Sequence, residues 1–97
     1  MLELVHSDVY DVGVVSPSGY RYWITFIDDK SRFKAVLLLK KKSEAFSAFK
    51  QFKAWAERVT GKRIKTIRHD KGGEYISKAF EQFLKDLGIE VQKTARN

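Results

Sequence analysis

Two acids stand in settings that could support chemistry. Asp8 lies in His6-Ser7-Asp8-Val9, and Asp70 lies in Arg68-His69-Asp70-Lys71-Gly72-Gly73-Glu74-Tyr75. Carboxylate oxygens are the hard donors that Mg²⁺ or Mn²⁺ requires. Two such ions held side by side can grip the attacking and leaving oxygens of a phosphoryl transfer. That chemistry needs both acids in one place, which follows only if their segments are neighbouring parallel strands projecting both carboxylates from one sheet edge. The alternative is a solvated strand-end acid at Asp8 and a loop cap at Asp70. Residue types alone leave both readings open.

The elements that would position them can be read from periodicity. Residues 2–9 mix apolar and polar side chains as a half-buried strand does. Ser16-Pro17-Ser18-Gly19 is a turn by its residues. Residues 20–27 are aromatic and β-branched on both alternating faces, which predicts a covered strand. Asp28-Asp29-Lys30-Ser31 is so short a link to the next strand, residues 32–39, that it permits only an antiparallel hairpin. The period then changes. Ser43 is the expected N-cap of a helix with Ala45, Phe49, Phe52, Ala56 and Val59 inward, closed by Gly61. A short strand at 64–68 leads into the Asp70 loop. Ser77 is expected to cap a second helix carrying Phe80, Phe83, Leu84 and Leu87 inward, stopped by Gly88 before a last strand at 89–92.

The order is therefore β-β-β-α-β-α-β, an α/β chain whose helical connection between the third and fourth strands suits a crossover to a parallel neighbour. A doubly wound receiver-type fold would alternate strand and helix from the start. The mixed order fits a ribonuclease-H-like mixed sheet.

Composition bounds the function class. Ninety-seven residues make one small domain, and 43% hydrophobic with 13% aromatic residues is enough for a packed core. No apolar run approaches the roughly 20 residues that span a bilayer, and Glu3, His6 and Asp8 interrupt any signal-like stretch. The chain has no cysteine, so neither disulfides nor a thiolate metal site enter. These features are expected of an intracellular chain with no membrane partner. The net charge of +7 raises the prospect of a polyanionic partner.

Four blocks in order carry a family resemblance. Residues 2–9 resemble the opening strand of the copia-type (Pseudoviridae) retrotransposon integrase catalytic core. Tyr22-Trp23-Ile24-Thr25-Phe26-Ile27-Asp28-Asp29-Lys30-Ser31-Arg32 is similar to that family's hairpin. Lys40-Lys41-Lys42-Ser43-Glu44-Ala45-Phe46 resembles its helix entry, and residues 68–75 resemble its second-acid signature. The resemblance implies a ribonuclease-H-like fold and metal-dependent DNA 3′-end processing and strand transfer. It makes Asp8 and Asp70 the first two catalytic acids and metal ligands of a two-ion Mg²⁺ or Mn²⁺ site. It implies DNA partners (element ends and target), a homo-oligomer in the full-length protein, and a place in the nucleus or a virus-like particle. The family's third acid, a glutamate, would fall beyond Asn97. Residues 1–97 are accordingly expected to be an incomplete catalytic core domain without its C-terminal helices, inactive alone, with an exposed apolar patch and marginal stability. The rival reading is a non-catalytic nucleic-acid-binding or protein-interaction module on the same scaffold.

Three departures mark this chain: Lys71 where the family has asparagine, His69 where it has a small hydroxyl residue, and Asp11 where glycine is common. Other candidates are weaker. His6 and His69 lack further zinc ligands, Gly72-Gly73 lacks a nucleotide-loop context, and Asp28-Asp29 reads as a hairpin turn. Glu81, Asp86 and Glu90 read as surface acids. Phe46, Phe49, Phe52 and Trp55 read as core at helical spacing. For nucleic acid, Lys62, Lys65, Arg68 and Lys71 are the favoured contacts, with Arg63 beside them, although Lys65 and Arg68 fall on opposite faces of a strand. Lys40-Lys41-Lys42 reads first as a solvated shoulder.

Overall fold

The computed structural model describes residues 2–70 and 77–94, with the backbone alone for Asp70 and Thr94. Its elements are β1 (Leu4–Asp11), β2 (Tyr22–Asp28), β3 (Lys34–Leu39), a 3₁₀ turn (Lys42–Glu44), α1 (Ala45–Thr60), β4 (Thr66–Asp70), α2 (Lys78–Asp86) and β5 (Glu90–Thr94). The expected order holds. The five strands form one sheet in the order β3-β2-β1-β4-β5. β1 pairs antiparallel with β2 and parallel with β4. The crossover through α1 thus carries the chain past β2 and β1 to the far side of β1.

Several boundaries differ from the sequence reading, each because a main-chain donor goes elsewhere. Leu2 has φ 66° and gives its N–H to the Asp28 carboxylate at 2.6 Å, so β1 starts at Leu4. β1 then runs on to Asp11, which faces Tyr22. Ile64 gives its N–H to Glu57 Oε2 at 2.9 Å rather than to a ladder, so β4 starts at Thr66 and ends at Asp70. Asp70 is therefore the last residue of a strand rather than part of the loop beyond it.

The first helix begins differently too. Ser43 sits inside the 3₁₀ turn, and α1 starts at Ala45 with Glu44 before it. Glu44 reaches back, its Oε1 accepting from the amides of Lys40 at 2.6 Å and Lys41 at 3.3 Å. A longer carboxylate on the charged side of the turn displaces the shorter serine from the capping role. At the other end Gly61 takes φ 70° and closes the helix as expected. Ser77 caps α2, its Oγ accepting from Phe80 N–H at 3.1 Å.

Strand alternation sorts the sheet into two faces. Val5, Ser7, Ile24, Phe26 and Ile67 are buried under α1 and α2, against Phe49, Phe52, Phe80 and Leu84. Phe26 stacks on Phe52 with centroids 4.5 Å apart, and Phe46 stacks on Phe80 at 5.0 Å. Such pairs add about 0.5–1.5 kcal/mol to the area they bury. The phenylalanine stripe of α1 is thus core. Val59 and Leu87, expected inward, stand exposed at 62% and 49%: Val59 lies in the last turn of α1, and Leu87 is the cap that ends α2. Trp55 is also partly exposed, stacked on Phe33 at 5.2 Å.

Candidate active site

The two acids meet through the register of β1 and β4. Ser7 and His69 are partners across that parallel pair, and Asp8 and Asp70 are the residues that follow them. The two backbones therefore lie one strand spacing apart, about 4.8 Å, at the carboxyl end of β4 and three residues before that of β1. Ser7 and His69 are buried on the helix side, so alternation puts Asp8 on the opposite, helix-free face. Asp8 is half-buried there, and its Oδ1 accepts from Val9 N–H at 3.0 Å.

Its surroundings on that face are now specific. Thr25 is the residue opposite Asp8 on β2 and is nearly buried. Tyr10 and Trp23, the next pair toward the carboxyl end of β1, meet edge to face at 6.0 Å. On the other side, His6 Nε2 and Asp29 Oδ1 are 2.7 Å apart. That hydrogen bond holds the Asp29 carboxyl below the usual aspartate range, against the smaller opposing effect of desolvation. Sequence reasoning passed over Thr25; the pairing of β1 with β2 would have found it, had the hairpin register been fixed.

The other singled-out residues separate. His6 lies on the helix-free face beside Arg68, whereas His69 is buried beneath the helices, so one metal could not take both. Asp28, read as a turn residue, is 1% exposed and serves the turn from inside. Its Oδ1 accepts from Leu2 N–H, and its Oδ2 accepts from Ser31 N–H at 2.8 Å and Ser31 Oγ–H at 2.7 Å. Asp11 is held by Arg21, with Nε–Oδ1 at 3.0 Å and Nη2–Oδ2 at 3.2 Å. The Arg21 hydrogen bond, aided by Gly13 N–H, holds its carboxyl below the usual range. Glu81, Asp86 and Glu90 are exposed, as read.

Of the favoured cations, Lys62 and Lys65 stand at the other end of β4 from Asp70, and Arg68 shares the face of Asp8, opposite His6. Lys65 precedes the first residue of β4 and Lys62 lies in the loop after α1, both at the amino end of the parallel strands. Arg68 is half-buried, and its Nε and Nη2 both donate to Gln92 Oε1, at 2.9 and 2.6 Å. Lys71, Gly72, Gly73 and Glu74 lie outside the described residues.

Comparison with known proteins agrees with this geometry. An integrase core domain model matches residues 1–97. The chain is 44% identical over 95 residues to the retrovirus-related Pol polyprotein from transposon TNT 1-94 of Nicotiana tabacum, covering 97% of this chain and 7% of the relative. It is 34% identical over 88 residues to the Pol polyprotein from transposon RE2 of Arabidopsis thaliana, covering 91% and 6%. The chain therefore spans less than a tenth of the length of these relatives. In fold it is similar to the HTLV-2 integrase catalytic core domain, solved in complex with magnesium, with a TM-score of 0.70 at 24% identity over 97% of this chain and 61% of that one. It is also similar to a chain of the simian T-cell lymphotropic virus intasome bound to the PP2A regulatory subunit B56 gamma, with a TM-score of 0.67 at 20% identity, covering 97% and 31%. With this sheet, this register and these relatives, the chain belongs to the integrase core domain family, in its copia-type retrotransposon branch.

Proposed function

We propose that this chain supplies two metal-binding acids, Asp8 and Asp70, to a polynucleotidyl transferase that processes DNA 3′ ends and joins them to target DNA. The observation that carries this reading is the β1–β4 register, which sets the two residues side by side just past the last pair of the parallel ladder, Asp70 at the carboxyl end of β4 and Asp8 three residues before that of β1. Ligands of open α/β sheets gather outside those ends.

The donor set fits a hard divalent cation. Asp8 offers carboxylate oxygen from a half-exposed position on a face no described helix covers, and Asp70 follows it across one strand spacing. Mg²⁺ or Mn²⁺, when bound, would neutralise charge on the scissile phosphate. The chain's own part is to hold the backbones of the two acids one strand spacing apart on the sheet. Val9 N–H fixes one Asp8 oxygen, and the neighbouring pair Tyr10–Trp23 walls the position on one side.

Two carboxylates leave a pair of ions underligated, so the 97 residues alone are expected to be inactive in strand transfer. The DNA partners, the homo-oligomer and the nuclear or particle location belong to this same reading, supported by family membership.

Calorimetric titration of Mn²⁺ or Mg²⁺ into the wild-type chain, Asp8→Asn and Asp70→Asn tests it. Binding to the wild type that disappears in both variants is the expected result. Equal binding by all three would sink the site and favour a non-catalytic module.

A further inference from the structure

A further group of cations stands at the end of the sheet toward which β1 and β4 run. β2 begins at Tyr22, which faces Asp11 at the end of β1, and β3 ends at Leu39, which faces Tyr22. Arg21 and Lys40, Lys41 and Lys42 therefore line the same sheet edge toward which Asp8 and Asp70 lie. Asp8 faces Thr25, and Thr25 faces Val36, four residues before Lys40. At about 3.3 Å per residue and about 4.8 Å per strand, the lysines stand about 16 Å from Asp8. A DNA duplex covers that distance in about five base pairs.

This edge is built to present charge. Glu44 pins the Lys40 and Lys41 amides, so the run has a fixed backbone. Lys40 Nζ lies 5.6 Å from the Tyr20 ring centre, and the Tyr22 ring takes both Lys42 Nζ at 5.8 Å and the Arg21 guanidinium at 5.4 Å. An aromatic seat attracts a cation without itself carrying a charge and lowers the entropy lost on binding. The carboxylates here are already engaged: Asp11 binds Arg21, and Glu44 binds amides. Neither Lys40 nor Lys41 forms an ion pair among the described residues. The amino end, with Lys62 and Lys65, also carries exposed Glu3 and Asp29.

We propose that Lys40, Lys41 and Lys42, seated on Tyr20 and Tyr22, form a ledge that grips the backbone phosphates of the DNA duplex leading to Asp8 and Asp70. The assignment rests on the transferase reading. It makes the ledge a positioning surface with no base preference, since phosphate contacts set register without reading sequence.

The test is duplex binding by the 97-residue chain, without divalent metal, followed by fluorescence anisotropy across a salt series on two unrelated sequences. Each phosphate contact removed lowers the slope of log Kd against log salt by about one. Lys40→Gln/Lys41→Gln is expected to lower it by about two on both sequences. Lys40→Arg/Lys41→Arg is expected to keep it, and Lys62→Gln/Lys65→Gln to leave it unchanged. A wild-type slope in Lys40→Gln/Lys41→Gln, loss confined to the Lys62/Lys65 variant, or no duplex binding by the wild type would each overturn the ledge. The metal titration of Asp8→Asn and Asp70→Asn reports separately: if it fails while the lysine slopes respond, the transferase reading falls and the DNA surface stands.

Discussion

Asp28 and Asp8 sit on neighbouring antiparallel strands, three ladder positions apart and on opposite faces of the sheet, and the same side chain serves opposite purposes there. Around Asp28 every donor in reach is main chain or a turn hydroxyl, the carboxylate is 1% exposed, and the result is a clamp joining the start of the chain to the β2–β3 turn. Around Asp8 the face is open and one oxygen is held by its neighbour's amide. An acid whose oxygens are consumed by the fold has no capacity for a ligand. Asp8 is half-exposed instead and stands one strand spacing from a second acid. The two faces differ likewise: one is filled by phenylalanines, while the other carries His6, Asp8 and Arg68.

That contrast can be broken in order of expected effect. The largest loss belongs to the helix-covered face. Phe26→Ala, which removes a fully buried ring stacked on Phe52, is expected to cost about 3–5 kcal/mol in urea unfolding. A cost under 1 kcal/mol would mean that this face is not the core.

Asp28→Ala comes next. It orphans two amides and a hydroxyl, and with about 1–3 kcal/mol for each buried donor left unpaired, partly relieved by water, a total of about 3 kcal/mol is expected by the same measurement.

The acid limb of stability gives a smaller version of that comparison. Burial alone would raise the Asp28 carboxyl, but the hydrogen bonds from Ser31 and Leu2 outweigh it and hold the group below the ordinary value. A depressed folded value contributes stability that is present above the ordinary aspartate pKa of about 3.9 and is lost as pH falls through the folded value. Urea midpoints measured below about pH 4 should therefore fall more steeply with acid in the wild type than in Asp28→Asn. Parallel curves would show that Asp28 is not clamped.

The smallest effect is at the open site. Asp8→Asn is expected to change stability by no more than about 0.5 kcal/mol while metal binding is lost. A large destabilisation would make Asp8 a second Asp28.

The sequence made part of this visible. The change of period after Leu39, the short Asp28–Ser31 link and the helix-length connection were enough for the order of elements along the chain; that β1 and β4 are parallel neighbours was a condition there, and the sheet supplies it. The aromatic spacing of α1 likewise separated Phe49 and Phe52 as core. What could not be read depended on partners distant in sequence. The tie between Arg68 and Gln92 on β5 is one such case: two of the five Arg68 donors go to Gln92 Oε1, and its charge stays in place. Lys62 and Lys65 lie close to Asp70 along the chain, but a strand runs away from its own start, so its length separates them. Ser43 has the better intrinsic preference for a cap, but the reach of Glu44 to two amides wins once the turn is 3₁₀. Val59 and Leu87 fit the helical period, but the period says nothing about where each helix ends.

β3 is the edge of the sheet, and its helix-free side shows Val36 and Leu38 at 51% and 57% exposure. An apolar edge with unpaired main-chain groups is a template on which further strands can add. Lys34 opens this strand, and Lys40 and Lys41 close it, so a second chain pairing along the edge would bring like charges together at both ends. Under the proposed reading, the lysines that would attract a polyanion are the same side chains that oppose self-pairing along this edge.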